Sequence, residues 1–251
     1  MKSALWAAAA AVLTMGQAPE APDADDWEFG EDPSRKLTVA MARYDGGQAL
    51  IVQCVDGELK TMISGLPATT RRLRVIEWER ADGRRDRQSW FPEGGPGSTV
   101  FGTYTPARAA RFFKGGGQLT LRSAGGDPAS MEASFDLPPA SANLDRVLTA
   151  CGRPLQDERD SLPRTPFEVD WDEAAAEPRP GRGRSVGVAE ISCIVRQERF
   201  RECRVDYARP PRAGRDAARQ LEGDRLQQPD PAAEGTVSYM NIETFEDIIA
   251  M

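Results

Sequence analysis

The stretch GVAEISCIVRQERFRECRVDY (residues 187–207) carries two of the four cysteines of a 251-residue chain that contains no histidine. Its apolar positions alternate. Ala189, Ile191, Cys193 and Val195 share one face, and Cys203, Val205 and Tyr207 hold the same phase on the return. A period of two on both sides of a polar turn reads as a β-hairpin. Folded about Glu198, the hairpin sets Cys193 opposite Cys203, and facing residues of a non-hydrogen-bonded antiparallel pair have Cα atoms about 4.5 Å apart, within disulfide reach. Closing so short a loop is worth about 2–3 kcal/mol in the chain-entropy picture.

Two other uses of paired thiols compete with this bridge. Zinc would have to be held by cysteines and carboxylates alone, with no C-x-x-C pair in the chain. Redox chemistry lacks a C-x-x-C at a helix N-terminus to depress a thiol pKa. A structural bridge is the better reading, and no metal or cofactor is expected. The remaining pair, Cys54 and Cys151, would then tie the start of the preceding β-rich region to its close, as an even cysteine count in an exported chain favours.

Export is read from the N-terminus, MKSALWAAAAAVLTMGQAPEAPDADD, in which Lys2 precedes an apolar run over residues 4–15. That run is shorter than the roughly 20 residues needed to cross a bilayer. It fits a secretory h-region, with Gly16 and Ala18 as the small residues before a cleavage site. An uncleaved anchor is the alternative. No other segment is apolar for long enough to span a membrane, so the mature chain is expected in the periplasm.

Composition narrows function by exclusion. A formal net charge of -7 argues against a nucleic-acid partner. The absence of histidine removes Ser-His-Asp and Cys-His catalysis. The acid pairs Asp25-Asp26 and Glu31-Asp32 read as solvated, and EGGPGST and FKGGGQL read as turns, since neither has a phosphate-loop ending. Trp78, Trp90 and Phe91 read as strand residues of the core, with a sugar-binding face as the alternative. No catalytic residue is assigned.

Along the chain, residues 1–18 are read as the leader and 19–35 as a disordered acidic stretch. Residues 36–152 form a mainly antiparallel β domain with strands expected at 36–43, 48–64, 71–80, 118–123 and 131–137. The 48–64 segment turns at Asp56-Gly57, a hairpin signal because both turn positions favour φ > 0. Helices are expected at TPARAARFFK, with Thr105 as N-cap and Pro106 at the first position, and at SANLDRVLTACG, ended by Gly152. Residues 153–185 lack apolar periodicity and read as a connector, with a short β segment at 167–169. A small α+β domain follows at 186–251: the hairpin, a helix in RDAARQLEGDRL and a last strand at 235–245.

In order, Gly187, Ala189, Ile191, Val205, Ala217-Ala218, Pro229, Gly235, Val237 and Phe245 make this last region resemble the C-terminal domain of TonB-type energy transducers. The likeness covers about a quarter of the chain. It implies a sheet whose final strand has an open edge, to which a segment of an outer-membrane receptor or another periplasmic protein adds as a further strand. The expected peptide-binding edge is Thr236, Val237, Ser238, Tyr239, Met240, Asn241 and Ile242. The chain departs from the family in having a short h-region and a folded first domain where transducers carry a membrane helix and a long Pro-rich spacer. More faintly, Leu50, Cys54, Gly57, Trp90, Leu148, Ala150, Cys151 and Gly152 resemble periplasmic accessory proteins of type VI secretion, which supports the Cys54–Cys151 bridge. The expectation is a non-enzymatic, disulfide-stapled envelope protein. Its alternatives are a secretion-accessory or ligand-binding protein and a histidine-free enzyme acting on cell-wall polymer through carboxylates.

Overall fold

The computed structural model describes residues 27–124, 130–165, 185–226 and 230–245, with backbone alone at 185–188, 241 and 243–245. The expected leader, the β segment at 167–169 and Pro229 lie outside the described residues. The chain forms β1 (Glu28–Asp32), β2 (Leu37–Arg43), β3 (Ala49–Val55), β4 (Glu58–Ser64), β5 (Arg74–Arg80), β6 (Arg85–Pro92), β7 (Val100–Thr103), α1 (Pro106–Phe112), β8 (Gly117–Ser123), β9 (Glu132–Leu137) and α2 (Ala142–Ala150). After these come β10 (Ser185–Arg196), β11 (Arg199–Arg209), α3 (Pro211–Leu221) and β12 (Val237–Phe245). The first nine strands make one sheet in the order β1-β2-β3-β4-β7-β6-β5-β8-β9, and the last three make a second, β11-β10-β12. Neighbouring strands run antiparallel throughout, so the fold is α+β with β predominating.

Alternation of side chains builds the first sheet's core. Along β9, Ala133, Phe135 and Leu137 are buried while Glu132, Ser134 and Asp136 are exposed. The sheet curls, since Tyr44, just beyond β2, meets Phe135 of β9 edge to face at 4.9 Å. Trp78 lies inside, flanked by Trp90 and Phe113 at 5.3 Å each. Trp78 and Trp90 are core residues rather than a sugar-binding face. The β3–β4 turn is as expected, with Asp56 at φ 50° and Gly57 at φ 84°.

Several expectations need correction. Part of the stretch read as a disordered leader is ordered: β1 pairs with β2, and a 3-10 turn at Pro33–Arg35 leads between them. Trp27, just before β1, is buried against Phe113, which is why this end of the chain is held. β6 and β7 show no apolar alternation, because the buried face of β6 carries Asp86 and Gln88 before Trp90 and β7 is only four residues long. Thr105 stands at the start of α1 but makes no side-chain cap; its hydroxyl turns to Gln88 Oε1 at 3.3 Å. The last helix begins at Pro211 and ends at Leu221, not within 215–226, because Gly223 turns at φ 90°.

Both disulfides are formed. Cys54 of β3 joins Cys151 at the end of α2, with Cα atoms 5.6 Å apart, and Cys193 joins Cys203 with Cα atoms 4.1 Å apart. The second bridge does not sit in a regular facing pair as expected. The β10–β11 register breaks between Ser192 and Ile194, and Glu202 takes φ 50° to make room. The hairpin turn uses Gln197 and Glu198, both at φ > 0. No described helix is long and apolar enough to cross a membrane.

Candidate functional site

The expected peptide-binding edge lies on β12, the outer strand of the second sheet. Thr236 precedes the strand; Ser238, Met240 and Ile242 pair with Cys193, Ile191 and Ala189 of β10. The edge is only partly open. Val237 donates its N–H to Pro163 O at 2.9 Å and accepts from Thr165 N–H at 2.9 Å, so residues 163–165 lie alongside it as a single parallel bridge. Thr236, Val237 and Ser238 are buried, which removes three of the seven expected residues from any free edge. Ladder parity turns the amide and carbonyl of Tyr239, Asn241 and Glu243 away from β10, the direction Val237 takes, and no other described strand lies there.

Residues 153–165, read as a connector, are instead wedged between the sheets. Their anchors are arginines, which an apolar-periodicity reading does not register. Arg159 donates to Ser192 O and Oγ, both at 2.6 Å, and to Glu202 O at 2.5 Å. Arg164 donates to Arg87 O at 3.1 Å, tying the segment to β6. From α1, Arg108 forms a buried bidentate pair with Asp86 of β6 at 2.8 and 3.2 Å, and reaches Arg159 O and the Tyr239 hydroxyl. Arg111 is paired in the same way with Asp160. Buried guanidinium groups survive here because carboxylates and carbonyls take up their donors.

Behind this wedge a cleft of about 310 Å³ opens between the sheets. Arg108, Arg111, Arg153 and Arg204 contribute four cations to its walls, against the three acids Asp157, Glu190 and Asp206; Tyr104, Ile191, Val205 and Met240 supply apolar surface. Arg153, just past α2, has a side chain 2% exposed. Its Nη1 donates to Asp206 O, and its guanidinium stacks over Tyr207 at 4.2 Å. Among the described residues, Nε and Nη2 have no hydrogen-bond partner, nor has Asp206 Oδ2. Glu190 Oε1 stands 3.5 Å from Arg153 Nη2. Burial pushes the Glu190 carboxyl up to about 7; Arg153 opposes the shift, and Asp206 and Glu58 add to it.

The cleft was not visible in the sequence. Glu190 alternates with Ala189 and Ile191 as an ordinary outward residue of a strand, and Arg153 follows a helix-ending glycine. Only their three-dimensional meeting marks them. Compared with protein-family models, curated proteins and solved structures, the chain matches none.

Proposed function

We propose that this is an exported, non-enzymatic cell-envelope protein whose three-stranded sheet recruits an extended segment of a periplasmic or outer-membrane protein by strand addition along β12. The observation that carries the reading is the outward-turned backbone of Tyr239, Asn241 and Glu243, on an outer strand whose other side is fully paired with β10. A sheet edge with unpaired amides and carbonyls is a template for a further strand. Three residues offer up to about six hydrogen bonds at about 0.5–1.5 kcal/mol net each, enough for a weak, exchangeable contact. The two disulfides fit an oxidising compartment such as the periplasm. The resemblance to the C-terminal domain of TonB-type transducers supports the same mode of recognition and names receptor N-terminal segments as the partners to try.

Residues 163–165 already cover Val237, so the productive segment is residues 239–243, shorter and later than the sequence implied. Asn241→Pro removes one outward N–H without touching the β10 ladder, whereas proline at Val237 would break the contact with Pro163. With receptor N-terminal peptides as probes, the full chain should bind and Asn241→Pro should bind at least tenfold more weakly with unchanged circular dichroism. Capture that survives this substitution defeats the reading. So do amides at 239 and 241 that exchange as slowly in the free chain as those of β10, for the edge would then already be covered.

A further inference from the structure

We infer that the cleft between the two sheets is a binding site for a small organic carboxylate, anchored on the Nε and Nη2 edge of Arg153. This goes beyond strand addition and does not depend on it. Among the described residues the guanidinium has no hydrogen-bond partner at Nε or Nη2, Nη2 being held only by its ion pair with Glu190 at 3.5 Å, and the hydrogens of both point the same way and match the two oxygens of a planar carboxylate. Its opposite corner is fixed by Asp206 O and its face by the Tyr207 ring, so the fork is already oriented. A buried guanidinium whose Nε and Nη2 make no hydrogen bond is costly unless a better-placed acceptor takes them up. The cleft volume, about 310 Å³, sits at the small end of ligand pockets. Its walls at Tyr104, Ile191, Val205 and Met240 suit a short aliphatic body.

Glu190 is the group a ligand must replace. Its carboxyl is ion-paired with Nη2 at 3.5 Å without a hydrogen bond, on a side chain 22% exposed and so able to turn outward. With Glu190 ionised the four arginines of the wall face three carboxylates; with it protonated they face two. The charged and titratable groups around Glu190 are Arg153 and Asp157 from the wedge, Arg204, Asp206 and Tyr207 from β11, Glu58 and Lys60 from β4, Glu93 just past β6, Tyr104 just past β7, Arg108 and Arg111 from α1, and Tyr239 from β12. Of these, the carboxylates that repel an incoming anion are Asp157, Asp206, Glu58 and Glu93. Binding should therefore take up a proton at Glu190, whose carboxyl burial holds near 7, and affinity should rise from pH 8 to pH 6.

The test uses the full oxidised chain, chloride at constant ionic strength and a series of straight-chain carboxylates from acetate to hexanoate, followed by calorimetry and thermal shift at pH 6 and 8. Butylamine and inorganic phosphate serve as controls. Saturable binding by one or more carboxylates, at least threefold tighter at pH 6, is expected, with neither control binding as well. Arg153→Lys keeps the charge, loses the fork and should weaken binding at least tenfold. Glu190→Gln should bind with the pH dependence gone, and this variant decides the matter if Arg153→Lys does not fold. No carboxylate binding, phosphate binding equal to or tighter than carboxylate, undiminished binding by folded Arg153→Lys, or a pH dependence that persists in Glu190→Gln each overturns the assignment.

Discussion

Arg108 donates a hydrogen bond from Nη1 to the Tyr239 hydroxyl at 3.3 Å, joining α1 of the first sheet's layer to the edge strand of the second. The tyrosine ring also lies under Arg164, at 5.4 Å from its Cζ, so one side chain of β12 is held by two cations from elsewhere in the chain. The edge proposed to receive a partner is thereby fixed in position by the arginine-rich wedge.

That arrangement makes the buried pair of Arg108 and Asp86 a point of failure. Their side chains are 4% and 1% exposed. Removing one partner strands an uncompensated charge, which costs about 3–5 kcal/mol, whereas a solvent-facing pair contributes about 0–1 kcal/mol. Asp86→Ala is therefore expected to lower the unfolding free energy by about 3–5 kcal/mol. Glu79→Ala, which breaks exposed contacts to Arg85 and Arg122 on the neighbouring strands, should change it far less. Urea unfolding of both variants checks the contrast, and equal effects would contradict it.

The two disulfides should differ in worth. Cys54 and Cys151 close a loop over a sequence separation of 97, Cys193 and Cys203 over one of 10. Chain entropy assigns about 5 kcal/mol to the first and about 3 to the second. Replacing Cys54 and Cys151 together with alanine should cost more in urea midpoint than replacing Cys193 and Cys203. The reverse order would mean that the bulge between Ser192 and Ile194 depends on its bridge for more than loop closure.

How far the sequence disclosed this molecule depends on what held each part together. The β3–β4 hairpin, α1, α2 and both cysteine pairings were legible, because apolar period, turn residues and cysteine count are local signals. The Gln197-Glu198 turn carried none of the usual Asn or Gly, and its place came only from the flanking alternation. The wedge at 153–165 was opaque for a different reason. Its packing is polar, built from Arg153, Arg159 and Arg164 reaching backbone carbonyls distant in sequence, and such pairings leave no periodicity. Six of the seven expected edge residues lie on β12, an outer strand, with Thr236 just before it, while the cover over Val237 comes from that same segment, which the sequence pattern does not mark.

Gly214 tests the packing of α3. Alanine in a helix interior ordinarily gains about 1 kcal/mol over glycine. Here a Cβ would lie 2.5 Å from the Ala208 Cβ and 2.6 Å from Val205 Cγ1, both on the sheet beneath. Overpacking of that kind costs about 1–3 kcal/mol, so the clash should outweigh the propensity and Gly214→Ala should be destabilising. A raised melting temperature would show that α3 sits farther from β11 than described.

Glu190 gives the pH prediction, and the sign follows from its raised pKa. The unfolded chain releases this proton near the ordinary value of 4.5, the folded chain near 7. Between those values the unfolded state binds fewer protons, so the contribution to stability is complete below about 4.5 and is lost as pH rises through 7. The loss should be on the order of 3–4 kcal/mol by pH 8, since each unit of difference is worth about 1.4 kcal/mol. Asp157 acts the other way and in another range: burial disfavours its charge, but Arg204 and the Arg159 amide outweigh that and hold its carboxyl below 3.8, so its contribution is lost only in stronger acid. Glu190→Gln should remove the decline between pH 5 and 8 and leave the acid limb in place. Unfolding free energies measured in urea across pH 3–8, for both proteins, decide it; a decline in the glutamine variant as steep as in the parent would place the responsible group elsewhere.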